Sequence, residues 1–294
     1  MIEPNKQIIN VGLIQMKCDD KPDDNLNRAI DKIKSIAGKG AQIICLQELF
    51  CSKYFCQSEN HNNFSLAEKI PGATTAKMSL LAKELSVVLI VPLFEQRSKG
   101  IYHNTAIVID ADGSIAGKYR KMHIPDDPLF YEKFYFTPGD IGFKSFKTRY
   151  GNVGILICWD QWFPEAARLT ALSGADFIFY PTAIGFSKED TSEENSQSDA
   201  WRTIQRSHAI ANGIFTFAAN RVGKEDELQF WGRSFACDPF GKVLIEANPL
   251  DEEELIAECD LSLIEKTRQY WPFLRDRRVD AYGNISKVFI DPDE

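Results

Sequence analysis

The segment 154–165, GILICWDQWFPE, carries the clearest structural signal in the chain. Its apolar first half is typical of a buried strand, and Pro164 stands where a helix favours its first residue. Cys158 falls at the junction between the two elements, where backbone N–H groups from Trp159 onward would lower the pKa of its thiol and bind an oxyanion. The segment therefore predicts a strand–turn–helix unit with a candidate nucleophile. A single cysteine in such a run is more often a buried structural residue.

Outward from this unit, short runs rich in Val and Ile alternate with longer amphipathic stretches, which is typical of an α/β protein. The predicted strands cover 11–16, 43–46, 87–94, 105–110, 153–158, 177–180, 214–219, 235–238 and 256–260. The predicted helices cover 24–37, 75–85 and 165–173. Tight turns are expected at 111–113 and 238–241, so hairpins accompany the crossovers and more than one sheet is expected.

The composition is that of an ordinary globular chain of 294 residues, with 44% apolar and 26% charged residues. It excludes the disordered, fibrous and small disulfide-rich classes. The 34 basic and 42 acidic residues give a net charge of −8, which disfavours nucleic acid and anionic membranes as partners and favours a cationic small molecule. Neither a repeat nor a linker is visible, so we expect one domain over residues 1–294.

Cysteine usage and the first residues bear on the compartment. Seven cysteines at irregular spacing favour a reducing environment. The N-terminal segment lacks the pattern of a secretory signal, and no apolar run approaches the roughly 18 residues of a membrane span. We therefore expect a cytoplasmic protein. The four histidines and the pair Cys51 and Cys56 lack the spacing of a metal site, so no zinc is expected.

Two charged residues stand at the ends of predicted strands. Glu48 closes the run after 43–46, where burial would raise its pKa toward that of a general base. Lys121 lies in a basic run and would stabilise a developing oxyanion if its side chain reached inward. For Glu48 alone the competing interpretation is a strand-end residue in solvent, and a basic run such as that of Lys121 is more often a solvated strand edge. The acidic segment 187–199 is expected to be an exposed loop, for which composition favours a solvated surface over a binding role.

Taken together, three motifs resemble the catalytic triad of the nitrilase superfamily of carbon–nitrogen hydrolases. They are Glu48 in LQELF, Lys121 in YRKMHIP and Cys158 in CWDQWFPE. Further matching segments are VGLIQM, EKFYFTPGD, FYPTAIG, AANRVG and WGRSFACDPFG. The resemblance implies an α/β fold in the form of a four-layer αββα sandwich, no metal or organic cofactor, and a homo-oligomer that is a dimer or larger.

Within the superfamily, CWDQWFPEAAR, HIPDDP, YEKFYFTPGD and FLRDRRVD are most similar to the N-carbamoylputrescine amidase branch. This similarity implies a small carbamoyl amine as substrate and putrescine, carbon dioxide and ammonia as products. Glu48 would take the proton of Cys158, the thiolate would form an S-carbamoyl intermediate, and Lys121 with the Trp159 N–H would hold the oxyanion. Glu132 resembles a second superfamily glutamate that orients the lysine or the substrate, with a buried structural ion pair as the equal alternative.

The substrate pocket is less well defined by the resemblance. Tyr54, Asp126 and Glu189 are candidates for binding the substrate ammonium, since a cation needs a carboxylate or an aromatic face. The FYPTAIG motif adds Thr182 and Ala183. Plant members of the branch carry a glutamate two residues after the glycine of AIG. Here that position is serine, so the carboxylate has shifted or the amine is bound elsewhere.

Two other functions remain open at this point. A β-ureidopropionase or N-carbamoyl amino acid amidase shares the triad, but its anionic substrate needs an arginine or lysine in the pocket. A non-catalytic or redox-sensing member of the superfamily would use a low-pKa Cys158 together with a resolving cysteine.

Overall fold

The computed structural model describes residues 7–187 and 194–291. The strands are β1 (Ile8–Gln15), β2 (Ile43–Cys45), β3 (Val88–Ser98), β4 (Ile101–Ile109), β5 (Ile115–Arg120), β6 (Ser145–Thr148), β7 (Gly151–Ile155), β8 (Phe177–Thr182), β9 (Gly185–Ser187), β10 (Phe215–Asn220), β11 (Val222–Glu225), β12 (Leu228–Trp231), β13 (Phe235–Cys237), β14 (Val243–Glu246) and β15 (Glu253–Asp260). The helices are α1 (Pro22–Gly38), α2 (Ala73–Leu85), α3 (Glu132–Tyr135), α4 (Pro164–Leu172), α5 (Glu194–Asn212) and α6 (Ser262–Tyr270). Short 3₁₀ turns cover Phe55–Gln57, His61–Leu66, Cys158–Trp162, Val279–Ala281 and Gly283–Ser286.

The strands form two large mixed sheets and one small sheet. The first has the order β15-β1-β2-β3-β4-β5, with β1, β2 and β3 parallel and the other pairings antiparallel. The second has the order β14-β13-β10-β8-β7-β6, with β7, β8 and β10 parallel. The small antiparallel sheet is β11-β12-β9. The expectation of more than one sheet is confirmed.

The two large sheets pack face to face, with helices on their outer sides. Val108 of β4 and Phe217 of β10 belong to one continuous core between the sheets. On the outer side of the first sheet, Ile33 of α1 and Met78 of α2 are fully buried in a second core. Each such side chain contributes about 1.5–3 kcal/mol by leaving water. The fold is therefore the expected α/β sandwich of four layers in the order αββα.

Helix α4 packs close over the second sheet because β7 carries a glycine where the two meet. A Cβ atom on Gly154 would lie 2.3 Å from Thr170 Cγ2, which no other residue type allows without movement. This close approach holds the last turn of α4, which contains Thr170, against β7. Helix α5 covers the same sheet through Trp201, whose ring centroid lies 5.1 Å from that of Phe235.

All nine predicted strands and all three predicted helices are present, with ends shifted by a few residues. The prediction for 187–199 is wrong in its second half, because α5 already begins at Glu194 and Ser198 on it is buried. The polar composition of that stretch hid a helix that buries only one face. Residues 188–193 lie outside the described residues. Within the described part of the chain, no helix has the length and apolar character needed to cross a membrane.

Candidate active site

Three strand ends bring the predicted catalytic residues together. Glu48 follows β2 and Lys121 follows β5, both in the first sheet, whereas Cys158 follows β7 in the second. The Lys121 and Glu48 side chains are fully buried, and Cys158 is 6% exposed. The face-to-face packing of the sheets thus closes a site that neither sheet holds alone.

The Lys121 ammonium lies between two carboxylates. Its Nζ donates to Glu48 Oε1 at 2.9 Å and to Glu132 at 2.9 Å (Oε1) and 2.7 Å (Oε2). Glu132 is the first residue of α3, and its Oε1 also accepts a hydrogen bond from the Tyr54 hydroxyl at 2.7 Å. Two buried carboxylates thus share one buried ammonium, an arrangement that depends on close hydrogen bonding to offset desolvation.

Burial and charge act against each other on these groups. Burial by itself lowers the pKa of Lys121, but attraction to Glu132, Glu48 and Cys158 outweighs it and raises that pKa well above its ordinary value. Burial raises the pKa of Glu132 to about 7, against the opposing attraction of Lys121. The ammonium therefore stays charged at neutral pH, and Glu132 keeps a proton to a higher pH than an exposed glutamate would.

Cys158 begins the 3₁₀ turn Cys158–Trp162 with φ at +44°, a left-handed backbone angle that costs a residue with a Cβ atom about 1–2 kcal/mol. Its Sγ lies 3.9 Å from the carbonyl oxygen of Ala183. Burial raises the pKa of the thiol well above its ordinary value, and the negative charge of Glu48 adds to the effect. The expectation of a lowered pKa is therefore wrong, because desolvation of the thiolate outweighs nearby positive charge.

Glu48 is oriented so that one carboxylate oxygen stays available. Its Oε1 accepts hydrogen bonds from Lys121 and from Asn104 Nδ2, the latter at 2.7 Å. Its Oε2 is buried and has no hydrogen-bond partner among the described residues. A buried acceptor without a donor is uncommon and costs about 1–3 kcal/mol. This oxygen is therefore the natural acceptor for a proton that the site must take up.

A cavity of about 940 Å³ opens onto Cys158. Its apolar and aromatic wall includes Leu129, Phe130, Trp159, Trp162, Ala183, Leu228 and Trp231. Its polar wall includes Asp127, Glu132, Gln197 and Glu227. An apolar pocket with a few convergent polar groups is the usual form of a small-molecule site. None of the lining residues that the structure describes is a lysine or an arginine.

The predicted pocket residues fall in different places. Ala183 lines the cavity, whereas Asp126 is exposed and is not among the described lining residues, where its neighbour Asp127 stands instead. Tyr54 and Thr182 are buried away from the lining, with the Thr182 hydroxyl donating to the Tyr180 carbonyl at 2.9 Å. Glu189 lies outside the described residues.

Sequence reasoning missed several residues that support the site. Asp160, two residues after the cysteine, is fully buried and accepts hydrogen bonds from the Ile157 N–H at 2.9 Å and the Tyr119 hydroxyl at 2.8 Å. It also contacts both the main-chain N–H and Nδ1 of His123, at 3.0 and 2.7 Å. Asp160 thus joins the turn that carries Cys158 to the loop that carries Lys121. Its position two residues after Cys158, in CWDQ, is the sequence feature that could have identified it.

The described residues contain no cluster of His, Cys, Asp and Glu side chains that could hold a metal ion. Cys158 and Glu132 line the cavity, and the buried Lys121 and Glu48 lie directly behind them, so a thiol, two carboxylates and one ammonium meet at this point. They supply a nucleophile, a proton acceptor and a fixed positive charge, which are the requirements for transfer of an acyl group to sulfur. Fold and site together define a hydrolase of the class that acts through a cysteine nucleophile.

The particular family follows from comparison with known proteins. The family model for carbon–nitrogen hydrolases matches residues 10–269, and the chain belongs to that family, within the nitrilase superfamily. It is 44% identical to an N-carbamoylputrescine amidase of Solanum lycopersicum, over 96% of each chain. It is 40% identical to a citrullinase of Francisella tularensis, over 96% of this chain and 99% of the other. A crystal structure of a carbon–nitrogen hydrolase from Helicobacter pylori G27 superimposes with a TM-score of 0.94 at 47% identity, covering 97% of this chain and 100% of that one.

Proposed function

We propose that the protein hydrolyses N-carbamoylputrescine to putrescine, carbon dioxide and ammonia. The observation that carries the proposal is the charge of the cavity wall beside Cys158. Asp127 and Glu227 are carboxylates there, and no described lining residue is a lysine or an arginine. A chain of methylene groups ending in an ammonium suits an apolar wall with carboxylates. The similarity to N-carbamoylputrescine amidases supports the same substrate.

The reaction begins with a neutral thiol, because burial raises the pKa of Cys158. Glu48 Oε2 accepts the Sγ proton as sulfur bonds to the carbamoyl carbon, and the carbonyl oxygen becomes an oxyanion. Lys121 and the Trp159 N–H stabilise this charge. When the oxyanion collapses, the C–NH₂ bond breaks and ammonia leaves with the proton that Glu48 returns.

The second half of the reaction restores the enzyme. Glu48 takes a proton from water, whose oxygen attacks the S-carbamoyl carbon, and the C–S bond breaks as the thiol regains that proton. The carbamic acid that is released loses carbon dioxide to give the free amine. Each carboxylate of the site has a separate role in this scheme. Glu48 transfers the protons, and Glu132 holds the Lys121 ammonium in place.

Citrulline is the second candidate substrate, because of the similarity to a citrullinase. It has the same carbamoyl group and nearly the same chain, but it carries a carboxylate next to its amine. That carboxylate would need a cation, and the described lining residues offer Asp127 and Glu227 instead. Since like charges repel, the wall favours the substrate without the carboxylate.

The test is ammonia release from N-carbamoylputrescine, citrulline, N-carbamoyl-β-alanine and an aliphatic amide, with Cys158→Ala as the blank. We expect N-carbamoylputrescine to give the highest kcat/KM. Asp127→Asn and Glu227→Gln should each raise the KM for this substrate, by about tenfold for one lost charge-assisted contact. N-butylurea, which lacks the ammonium, is the matched control and should be unaffected. Preference for citrulline would overturn the substrate assignment but would leave the proposed mechanism at Cys158 unchanged.

The proposed functional form is a homo-oligomer. Beyond α6, the described residues include Val279, Ile285, Val288 and Phe289, which are largely exposed. Apolar side chains clustered in one segment are typical of an interface. A second copy of the chain is the occupant that the superfamily resemblance implies.

A further inference from the structure

Arg221 and Glu225 form a buried ion pair at the small sheet, outside the group that surrounds Lys121. Arg221 is fully buried and Glu225 is 2% exposed. Arg221 Nη1 donates to both carboxylate oxygens of Glu225 at 2.8 Å. Such a pair costs several kcal/mol in desolvation for each ion, and apolar residues of similar volume often match its stability. The pair therefore calls for an explanation other than stability.

The guanidinium also binds the backbone of the segment that carries the proposed general base. Its Nη2 donates to the carbonyl oxygens of Glu48 at 2.8 Å and Leu49 at 3.1 Å, and Nη1 donates to that of Ser52 at 3.1 Å. Leu49 has φ at +50°, a left-handed angle that a leucine adopts only when its surroundings hold it there. One planar group thus fixes the turn that aims the Glu48 side chain.

The carboxylate of the pair is connected to Glu132 through Tyr54. Glu225 Oε2 accepts a hydrogen bond from the Tyr54 main-chain N–H at 2.6 Å. The hydroxyl of the same tyrosine donates to Glu132 Oε1 at 2.7 Å. The ion pair is therefore connected to both carboxylates that flank Lys121, directly to the backbone of Glu48 and through Tyr54 to Glu132.

We propose that Arg221 and Glu225 are positioning residues that set the orientation of Glu48 and Glu132 around Lys121. The inference rests on the proposed function of Glu48 as the base for Cys158. A guanidinium fork reaches three carbonyls and a carboxylate at fixed angles, which neither a lysine nor an apolar pair can do. Loss of the pair should displace Glu48 by a fraction of an ångström to about 1 Å, enough to slow proton transfer greatly.

The variants are Arg221→Lys, Glu225→Gln and the double change Arg221→Met with Glu225→Leu. For each we would measure kcat and KM with N-carbamoylputrescine. We would also follow alkylation of Cys158 by iodoacetamide from pH 6 to 9 by mass spectrometry, with Glu48→Gln as the reference for a lost base. Ile33→Ala, in the fully buried contact of α1 with the first sheet, controls for loss of stability alone.

We expect kcat to fall at least about tenfold in the pair variants while KM stays within about twofold. Alkylation near pH 7 should slow toward the rate of Glu48→Gln, and Ile33→Ala should change neither quantity. If a folded double variant keeps the wild-type kcat and alkylation profile, the inference is overturned. If Arg221→Lys does not fold, the inference is tested with Glu225→Gln, which keeps one acceptor oxygen and the same shape. A wild type that is inactive on every substrate defeats the proposed function, and the alkylation rates still test the positioning.

Discussion

At the scale of single residues, backbone strain and buried charge coincide with the proposed chemistry. Leu49 and Cys158 have left-handed backbone angles, next to the proposed base and at the proposed nucleophile. Lys121 and the two glutamates around it are almost completely buried. Such features are costly, and they persist only where the surrounding structure holds them. Two predictions at this scale measure the strain and the charge separately.

The strained φ of Cys158 predicts an unusual order of stability between two inactive variants. Cys158→Gly should be more stable than Cys158→Ala by about 1 kcal/mol, because glycine adopts the left-handed angle without a Cβ clash. Urea unfolding of both variants measures the difference. Ala82→Gly in the buried face of α2 is the control and should be destabilising, as glycine is in any helix. Equal or reversed stability of the Cys158 pair would show that the turn is not strained.

The buried charges predict that a second substitution recovers part of the stability lost in the first. Lys121→Met should lower the free energy of unfolding by about 3–5 kcal/mol, because it leaves two buried carboxylates without their cation. Adding Glu132→Gln removes one of those charges and should recover part of the loss. Urea midpoints of both variants and the wild type at pH 7.5 give the comparison. A double variant less stable than Lys121→Met would contradict the electrostatic explanation.

At the scale of elements, buried polar contacts fix how the helices and turns sit on the sheets. Asp160 joins the turn after β7 to the loop after β5. On the outer side, His208 of α5 meets Tyr180 of β8, with 2.8 Å between Nδ1 and the hydroxyl. His208 is 2% exposed, and burial lowers its pKa to about 4. The contact between α5 and the sheet is therefore sensitive to pH.

The sign of that sensitivity follows from the two states of His208. The unfolded chain binds a proton below pH 6.5, whereas the folded chain keeps the ring neutral down to about pH 4. The stability from this group is therefore complete above pH 6.5 and is lost as the pH falls toward 4, by about 3 kcal/mol in all. Urea unfolding between pH 7.5 and 4.5 should show a smaller loss in His208→Gln than in the wild type. Parallel curves for the two proteins would refute the assignment.

At the scale of the whole molecule, charge and exposed apolar surface have different consequences. The net charge of −8 suits a protein whose proposed substrate is a cation. The apolar side chains beyond α6 are left uncovered by the rest of the described chain. Because exposed apolar surface of this kind favours association, the molecule should not be a monomer in solution.

The oligomer prediction has a direct measurement. By sedimentation velocity, the wild type should be heavier than a single 33.3 kDa chain. The double variant Val288→Glu with Phe289→Glu should shift the distribution toward the monomer, because it places charge in the proposed interface. Leu80→Glu, on the exposed side of α2, is the matched control and should leave the mass unchanged. A monomeric wild type would rule out the proposed interface.

The sequence by itself determined most strands of the two large sheets and three helices, and it singled out three candidate catalytic residues. Strand and helix periodicity is a local property, so nine strands and three helices could be read from it. Glu48, Lys121 and Cys158 could be singled out because each ends a predicted strand within a motif that resembles the nitrilase superfamily. Helix α5 was not predicted, since the polar residues of its first turns give no local signal of what the other face of the helix buries.

Tertiary structure alone decided which residues support the site and which face the cavity. Asp127 rather than Asp126 lines the wall, because the direction of a side chain in a loop depends on the packing around it. Arg221 reaches the carbonyl of Glu48 across 173 residues of sequence. Burial reversed the expected shift in the pKa of Cys158. Periodicity and motifs are encoded within a few neighbouring residues, whereas burial, charge and contact arise only when distant segments pack together and exclude water.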